Sequence, residues 1–86
     1  FAPVAPAGTL GAPPARLVWR ALRGAPRYTV EVLDTTDAAV LIVTTGDTTA
    51  EVPRGALRPG AYRWYVRART PDGAEQRSPI ARFTIR

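Results

Sequence analysis

Hydrophobic and polar positions alternate with a period of two along most of the chain that follows residue 14. In "LRPGAYRWYVRAR", residues 57–69, Tyr62, Trp64 and Val66 alternate with arginines and a second tyrosine. A period of two is typical of a β-strand with one buried face, because successive side chains point to opposite sides. No window shows a sustained helical period. The pattern therefore predicts an all-β protein.

Turn signals divide the alternating region into six or seven short strands, spaced roughly 8 to 12 residues apart. Gly24–Pro26, Gly46-Asp47, Pro59-Gly60 and Pro71–Gly73 are residue combinations that favour tight turns. The segment "TPDGAEQRSP", residues 70–79, is predicted to form a hairpin-like loop. The predicted fold class is a two-sheet antiparallel β-sandwich of about seven strands over residues 15–86.

Residues 1–14 differ from the rest of the chain because they are rich in proline and alanine. Such a stretch forms extended chain or an edge strand, where the missing proline N–H leaves no neighbouring strand unpaired. We expect an edge strand within it. Phe1 has few apolar neighbours in this segment, so residues 1–6 are predicted to lie against a partner or another subunit. The chain begins at Phe1 and contains no methionine, so we expect a processed protein or a portion of a longer one.

The inward positions of the predicted strands form a candidate core. They carry large aromatic and β-branched side chains, which dominate the buried faces of sandwiches. Both tryptophans are in phase with inward aliphatic neighbours, so they are interpreted as core residues rather than as ligand-stacking residues. The candidate core residues are Trp19, Tyr28, Val30, Val32, Leu57, Tyr62, Trp64, Val66, Phe83 and Ile85.

The composition excludes several kinds of catalytic chemistry. The chain contains no Cys and no His, which removes Ser-His and Cys-His nucleophilic pairs and the usual zinc ligands. Among the carboxylates, Asp34, Asp37 and Asp47 stand beside threonines, in groupings that are typical of turns. We therefore expect that the chain is not an enzyme and that it binds no cofactor or metal ion.

Several predicted strands resemble those of the fibronectin type III family, in particular its bacterial extracellular members. The resemblance covers nearly the whole chain, from about residue 3 to 86, and includes an "L-x-P-G-x-Y-x-x-x-V" run. Gly60 and Tyr62 are one residue closer than in the family's commonest pattern, and no Arg-Gly-Asp triplet is present. The matching residues are Pro6–Gly8, Trp19, Tyr28–Val32, Leu57, Pro59, Gly60, Tyr62, Val66 and Phe83–Ile85.

This resemblance implies a sandwich in which strands A, B and E face strands C′, C, F and G. Strands C, F and G would then be neighbours, and their outward side chains would form one basic surface on which Glu31 is the one carboxylate. The surface is called the arginine face below. Its members are Arg27, Arg63, Tyr65, Arg67, Arg69, Arg82 and Arg86.

Two interpretations of the arginine face remain open from the sequence. All 12 basic residues are arginine and the net charge is +5, which favours docking onto an acidic protein surface or, as second choice, anionic lipid headgroups. Alternatively, the face is a solvated strand surface in which Glu31 pairs with an arginine of strand F. Nucleic acid is disfavoured as a partner, because lysine and nucleic-acid-binding motifs are absent and only Tyr65 can stack a base.

The predicted function is that of a non-catalytic interaction module or accessory subunit in a larger bacterial envelope-associated assembly. The resemblance also implies an extracytoplasmic location, in the periplasm or at the cell surface. The longest apolar run, residues 38–43, is far shorter than the roughly 20 residues that span a bilayer, although association with a membrane complex is compatible with the chain. The alternatives are a carbohydrate-binding accessory domain of a secreted enzyme and a pure spacer domain.

Overall fold

Two β-sheets make up the whole structure, which is a computed structural model that describes residues 1–86. The strands alternate buried and exposed residues, as in the B-i-B-i-B-i burial pattern of residues 28–33. The structure contains no helix that is long and apolar enough to cross a membrane. In chain order the strands are β1 Pro3–Ala5, β2 Gly8–Leu10, β3 Arg16–Trp19, β4 Tyr28–Leu33, β5 Ala39–Thr45, β6 Thr49–Glu51, β7 Gly60–Arg69, β8 Glu75–Arg77 and β9 Ala81–Ile85.

The smaller sheet has the strand order β1-β3-β6, and the larger sheet has the order β2-β9-β7-β4-β5, with β8 also paired to β7. All neighbouring strands are antiparallel except β2 and β9, which run parallel. This arrangement is an all-β two-sheet sandwich, as the alternating pattern predicts. The ten-residue strand β7 lies near the centre of the larger sheet, between β9 and β4.

The core lies between the two sheets and is built from alternate residues of both. The smaller sheet contributes Leu17, Trp19 and Ala50, and the larger sheet contributes the inward residues of β4, β7 and β9. Trp64 is fully buried, and Trp19 meets the Tyr28 ring edge-on with centroids 5.8 Å apart. The ten candidate core residues are all buried: Trp19, Tyr28, Val30, Val32, Leu57, Tyr62, Trp64, Val66, Phe83 and Ile85.

The N-terminal segment crosses from one sheet to the other, so it forms two strands instead of the single edge strand expected. β1 pairs with β3, and β2 then pairs with β9. At the crossing, Pro6 is buried and its carbonyl oxygen accepts a hydrogen bond of 3.1 Å from Trp64 Nε1. The Ala5–Pro6 peptide bond is cis.

The domain itself supplies contacts to residues 1–6, and the expectation that these residues also lie against a partner stays a prediction. The Phe1 ring packs on Tyr28, with centroids 6.1 Å apart, and the Ala2 carbonyl accepts a hydrogen bond of 2.8 Å from the backbone N–H of Arg20. Phe1 therefore adds to the edge of the core and lies away from the arginine face.

The loop predicted for residues 70–79 also contains a strand. β8 pairs with the end of β7 through three residue pairs, but all three of its residues are exposed, so no apolar alternation marks it in the sequence. Beyond it, Ser78 is buried. Its hydroxyl accepts a hydrogen bond from Val66 N–H at 2.9 Å and donates one to the Pro79 carbonyl at 2.9 Å.

Tyr62 closes the turn that precedes β7. Its hydroxyl donates a hydrogen bond of 2.6 Å to the carbonyl of Arg58, four residues upstream. Its ring stacks on Phe83 with centroids 5.3 Å apart. A tyrosine whose hydroxyl bonds back to the chain just before its own strand is known as a tyrosine corner in immunoglobulin-like sandwiches.

Candidate interaction face

The arginine face is the outer surface of the larger sheet, where β4, β7 and β9 are neighbours. Side chains that are opposite one another on these strands share a side. Tyr65 is opposite Glu31, and Arg63 is opposite Arg82. The sheet therefore places the predicted strand residues on one surface, with Tyr65 near its middle.

A closed ring of polar contacts orders the middle of this face. The Tyr65 hydroxyl donates to Glu31 Oε2 at 2.6 Å, and Arg67 Nε lies 2.9 Å from the same oxygen. Arg67 also reaches Glu75 Oε1 at 3.4 Å, and Glu75 Oε2 lies 3.7 Å from Arg77 Nε. The Arg77 guanidinium lies 5.5 Å from the centroid of the Tyr65 phenol, and this contact closes the circle of interactions. These contacts hold five long side chains in place before any partner arrives.

The contact between Arg67 and Glu31 is an ion pair rather than a linear hydrogen bond. The two atoms are close, but the Arg67 Nε–H is buried and directed at no acceptor. Glu31 is largely covered, with 16 % of its side chain exposed, so its charge is less screened than that of a fully solvated carboxylate. The sequence left open whether Glu31 pairs with an arginine of the neighbouring strand. In the structure this pair is present, between Glu31 on β4 and Arg67 on β7.

Glu31 also changes the acidity of Tyr65. The hydrogen bond to the Glu31 carboxylate, together with burial, raises the pKa of Tyr65 above its ordinary value of 10.0, since ionising the phenol would break the bond and place two negative charges side by side. Tyr65 is therefore a neutral donor at physiological pH.

Asp37 pairs with Arg63 at the other end of the face. Asp37 adopts a positive φ of 64° in the turn between β4 and β5, a conformation that aspartate tolerates better than most residues. The same turn is held by Asp34, whose Oδ1 accepts from Thr36 N–H at 2.8 Å and from Ala38 N–H at 3.1 Å. The sequence places Asp37 in a turn but gives no signal that this turn reaches Arg63.

Four arginines of the face have no carboxylate partner, in contrast to Arg63 and Arg67. Arg69 donates only to the Gly73 carbonyl, at 3.2 Å. Arg27 precedes β4 at the end where Tyr28 pairs with Ala68, whereas Arg86 follows β9 at the end where Ile85 pairs with Gly60. The arginines without a carboxylate partner are Arg27, Arg69, Arg82 and Arg86.

Two shallow grooves flank the ordered middle of the face. One, of about 390 Å³, lies at the Arg27 end and is lined by three arginines together with Thr29, Thr44 and Glu75; the arginines are Arg27, Arg67 and Arg69. The other, of about 210 Å³, lies at the opposite end and is lined by Arg63, Arg82 and Asp34 among others. The arginine face is thus two basic grooves separated by the Tyr65–Glu31 contact.

An apolar strip borders the face on the side of β5, and the sequence reasoning missed it. Ile42 is opposite Glu31 on the neighbouring strand, and its side chain is 56 % exposed. Val40 lies at the register irregularity between Leu41 and Ala39 and is 38 % exposed. The run "AAVLIVTT" identifies a strand, but a continuous apolar run does not say which side of the strand is covered.

The structure shows no group of three or more His, Cys, Asp or Glu side chains that could hold a metal ion.

Of the turn aspartates, Asp34 caps its own turn as predicted for that residue type. Asp47 differs from the prediction, because there the Thr45 hydroxyl accepts a hydrogen bond of 3.1 Å from the Asp47 backbone N–H.

The strand order and the absence of helices place the chain among all-β sandwich proteins. No protein-family model matches it, and no curated protein matches it. Among solved structures, the fold is similar to the crystal structure of CopC from Methylosinus trichosporium OB3b, with a TM-score of 0.67 and 21 % sequence identity over 98 % of this chain and 91 % of that chain. At this identity the likeness supports the sandwich fold, and it does not support the fibronectin type III family in particular.

Proposed function

We propose that the chain is a non-catalytic interaction module that docks an acidic protein surface on its arginine face. The observation that carries the proposal is the arrangement of charge. Arg27 and Arg69 at one end, and Arg82 and Arg86 at the other, lack carboxylate partners, while the side chains between them are already ordered. Ordered side chains lose less entropy on binding, and arginine forms bidentate hydrogen bonds with carboxylates.

The finer assignment, that the sandwich is of the fibronectin type III type, belongs to the same proposal. It is supported by the sheet division, with β1, β3 and β6 on one side and β9, β7, β4 and β5 on the other, and by the tyrosine corner at Tyr62. We place the module outside the cytoplasm, in the periplasm or at the cell surface of a bacterium, because the sequence resembles bacterial extracellular members of that family.

Carbohydrate binding is a weaker proposal for this face. Sugar platforms use an open aromatic ring, and Tyr65 is the single aromatic residue among the outward positions. The Arg77 guanidinium lies over its ring, and its hydroxyl is engaged by Glu31. A sugar would have to displace both contacts.

Backbone NMR of the 86-residue chain titrated with a Glu-rich peptide tests the proposal. We expect shifts at Arg27, Arg69 and Arg82, with little change on β1, β3 and β6, and we expect weaker binding as salt rises because exposed charges are screened. Phosphatidylglycerol vesicles provide the second arm. Tighter binding to vesicles than to the peptide would replace the acidic protein with a membrane surface.

Two matched pairs of variants distinguish binding by the arginine face from attraction by the net charge of the chain. Arg27→Gln with Arg69→Gln removes two charges from the face, whereas Arg16→Gln with Arg20→Gln removes two exposed charges at β3 of the smaller sheet. The proposal requires the first pair to weaken peptide binding at least several-fold more than the second. Equal losses from both pairs would mean that net charge alone attracts the peptide, and the arginine face would then have no special role.

A further inference from the structure

Strand β5 ends the larger sheet, and one of its two edges has no strand beside it. Its only strand partner is β4. In an antiparallel pair, alternate residues direct their backbone N–H and C=O groups toward the neighbour and the others direct them away. About half of the backbone groups of this seven-residue strand therefore face outward, in position to pair with another strand.

The other edge strands of the domain are protected, and β5 is not. β1 and β2 have three residues each, with Pro3 in the first and the buried Pro6 just before the second. β6 also has three residues and is followed by Pro53, and β8 carries Glu75 and Arg77. Short length, proline, charge and β-bulges are the usual devices that prevent pairing at a sheet edge. The register irregularity of β5 lies near its start, at Val40 between the partners of Leu33 and Val32, and leaves residues 41–45 in regular pairing with β4. β5 has seven residues, "AVLIVTT", with no proline and no charge.

The sequence of β5 is complementary to itself when two copies run antiparallel. In a register centred on Ile42, each Ile42 is opposite its counterpart and Leu41 is opposite Val43, both within the regular part of the strand. Each of these pairs joins apolar or β-branched side chains, which stabilise cross-strand contacts. Ile42, at the centre of this register, is a large apolar residue that is 56 % exposed in the single chain.

Charge favours a second copy over an acidic partner at this edge. β5 offers no cation to a carboxylate-rich strand, and it offers no like charge to a copy of itself. In the joined sheet the two copies of Arg67 would be five strand spacings apart, about 24 Å, which exceeds the screening length of about 8 Å at physiological salt. The net charge of +5 per chain therefore does not prevent the approach.

We propose that β5 pairs with β5 of a second copy of this chain, antiparallel and about a two-fold axis that passes beside Ile42. The axis is perpendicular to the sheet, so the five-stranded paths of the two copies join into one continuous sheet. Both arginine faces then lie on the same side of it. The proposed dimer does not depend on which partner binds the arginine face.

The first test measures the mass of the 86-residue chain by analytical ultracentrifugation over a concentration series. We expect the mass to rise from 9.3 kDa toward twice that value. Ile42→Lys should abolish the rise, since it places two cations opposite each other at the axis. Ile80→Lys is the matched control, because Ile80 is 52 % exposed but lies outside β5. A monomer at every concentration, or an equal loss with Ile80→Lys, would overturn the proposal.

The second test determines the register by oxidation of single-cysteine variants. Because the chain contains no cysteine of its own, any disulfide must join the two introduced residues. Residues opposite each other have Cα atoms about 4.5 to 5.5 Å apart, within reach of a disulfide. Ile42→Cys should therefore cross-link rapidly. Val40→Cys should not, because the two substituted positions would be four residues out of register, about 13 Å apart. Equal cross-linking of both variants would contradict the two-fold pairing.

The arginine-to-glutamine variants described above should leave the dimer unchanged, so failure of one proposal is distinguishable from failure of the other.

Discussion

The indole nitrogen of Trp64 donates a hydrogen bond to the carbonyl oxygen of Pro6 at 3.1 Å, across 58 residues of sequence. The bond is buried and joins the centre of β7 to the point where the N-terminal segment changes sheets. The indole nitrogen of Trp19, the other tryptophan, is equally buried but has no hydrogen-bond partner. The two tryptophans are thus both buried but differ in this polar contact.

Trp64→Phe should destabilise the domain more than Trp19→Phe. Both changes remove part of an indole from the core, but only the first leaves a buried carbonyl unpaired, which costs about 1 to 3 kcal/mol more. The difference is measured as the free energy of unfolding in urea. Hydrogen exchange at β2 and β9 should also accelerate in Trp64→Phe alone. Equal destabilisation by the two changes would show that the Pro6 contact contributes nothing to stability.

Ser78→Ala should cost about 1 to 3 kcal/mol, because it leaves the Val66 N–H without its acceptor inside the protein. Thr84→Ala is the control, since Thr84 is an exposed hydroxyl residue on β9 that forms no side-chain hydrogen bond. Urea unfolding of both variants provides the comparison. A cost for Ser78→Ala no larger than that for Thr84→Ala would contradict a structural role of the Ser78 hydroxyl.

Tyr65 should make the stability fall at alkaline pH. Its pKa in the folded protein is raised by the hydrogen bond to Glu31, so its contribution is fully present below pH 10.0 and is lost as the pH rises through the raised value. Glu31→Gln removes the carboxylate and should bring the pKa of Tyr65 back toward 10.0. Ultraviolet titration of the phenol should show one of the three tyrosines ionising earlier in the variant. An unchanged titration curve would exclude the contact.

Asp34 and Asp72 should make the stability fall at acid pH. Hydrogen bonds from Thr36 and Thr70 respectively lower the pKa of each carboxyl below 3.8, so their contribution is present above that value and is lost as the pH falls through the lowered one. Asp34→Asn keeps an acceptor oxygen but cannot be protonated in this range. Thermal melts should therefore depend less on pH between neutrality and strong acid in Asp34→Asn than in the native chain.

The fold was predictable from the sequence because burial in a sandwich has a period of two, and every inward large residue of β3, β4, β7 and β9 follows it. The pattern fails where a strand is short and has no buried side. β8 is entirely exposed, so its polar residues resemble a loop. The edge position of the N-terminal segment was predictable from its prolines, but its division between two sheets was not, because the Trp64–Pro6 hydrogen bond at the crossing is a tertiary contact.

The arginine face was predictable as a surface but not as a charge distribution. Alternation assigns Arg63, Arg67 and Arg69 to one side of β7, yet it cannot reveal which of them has a carboxylate partner. Glu75 and Asp37 reach the face from a loop strand and a turn, and only the folded chain brings them there. Ile42 was missed because the edge position of β5 depends on the strand order, which the residues of β5 do not encode.

The parallel pairing of β2 with β9 determines how the domain carries tension. Phe1 lies at the Tyr28 end of the sandwich and Arg86 at the Gly60 end, so a force that separates the termini runs along the strands. β2 and β9 are parallel, and the Leu10 carbonyl accepts a further hydrogen bond of 3.0 Å from the Arg86 N–H. The same force loads all of these bonds together in shear, so this short pair is the mechanical clamp of the molecule.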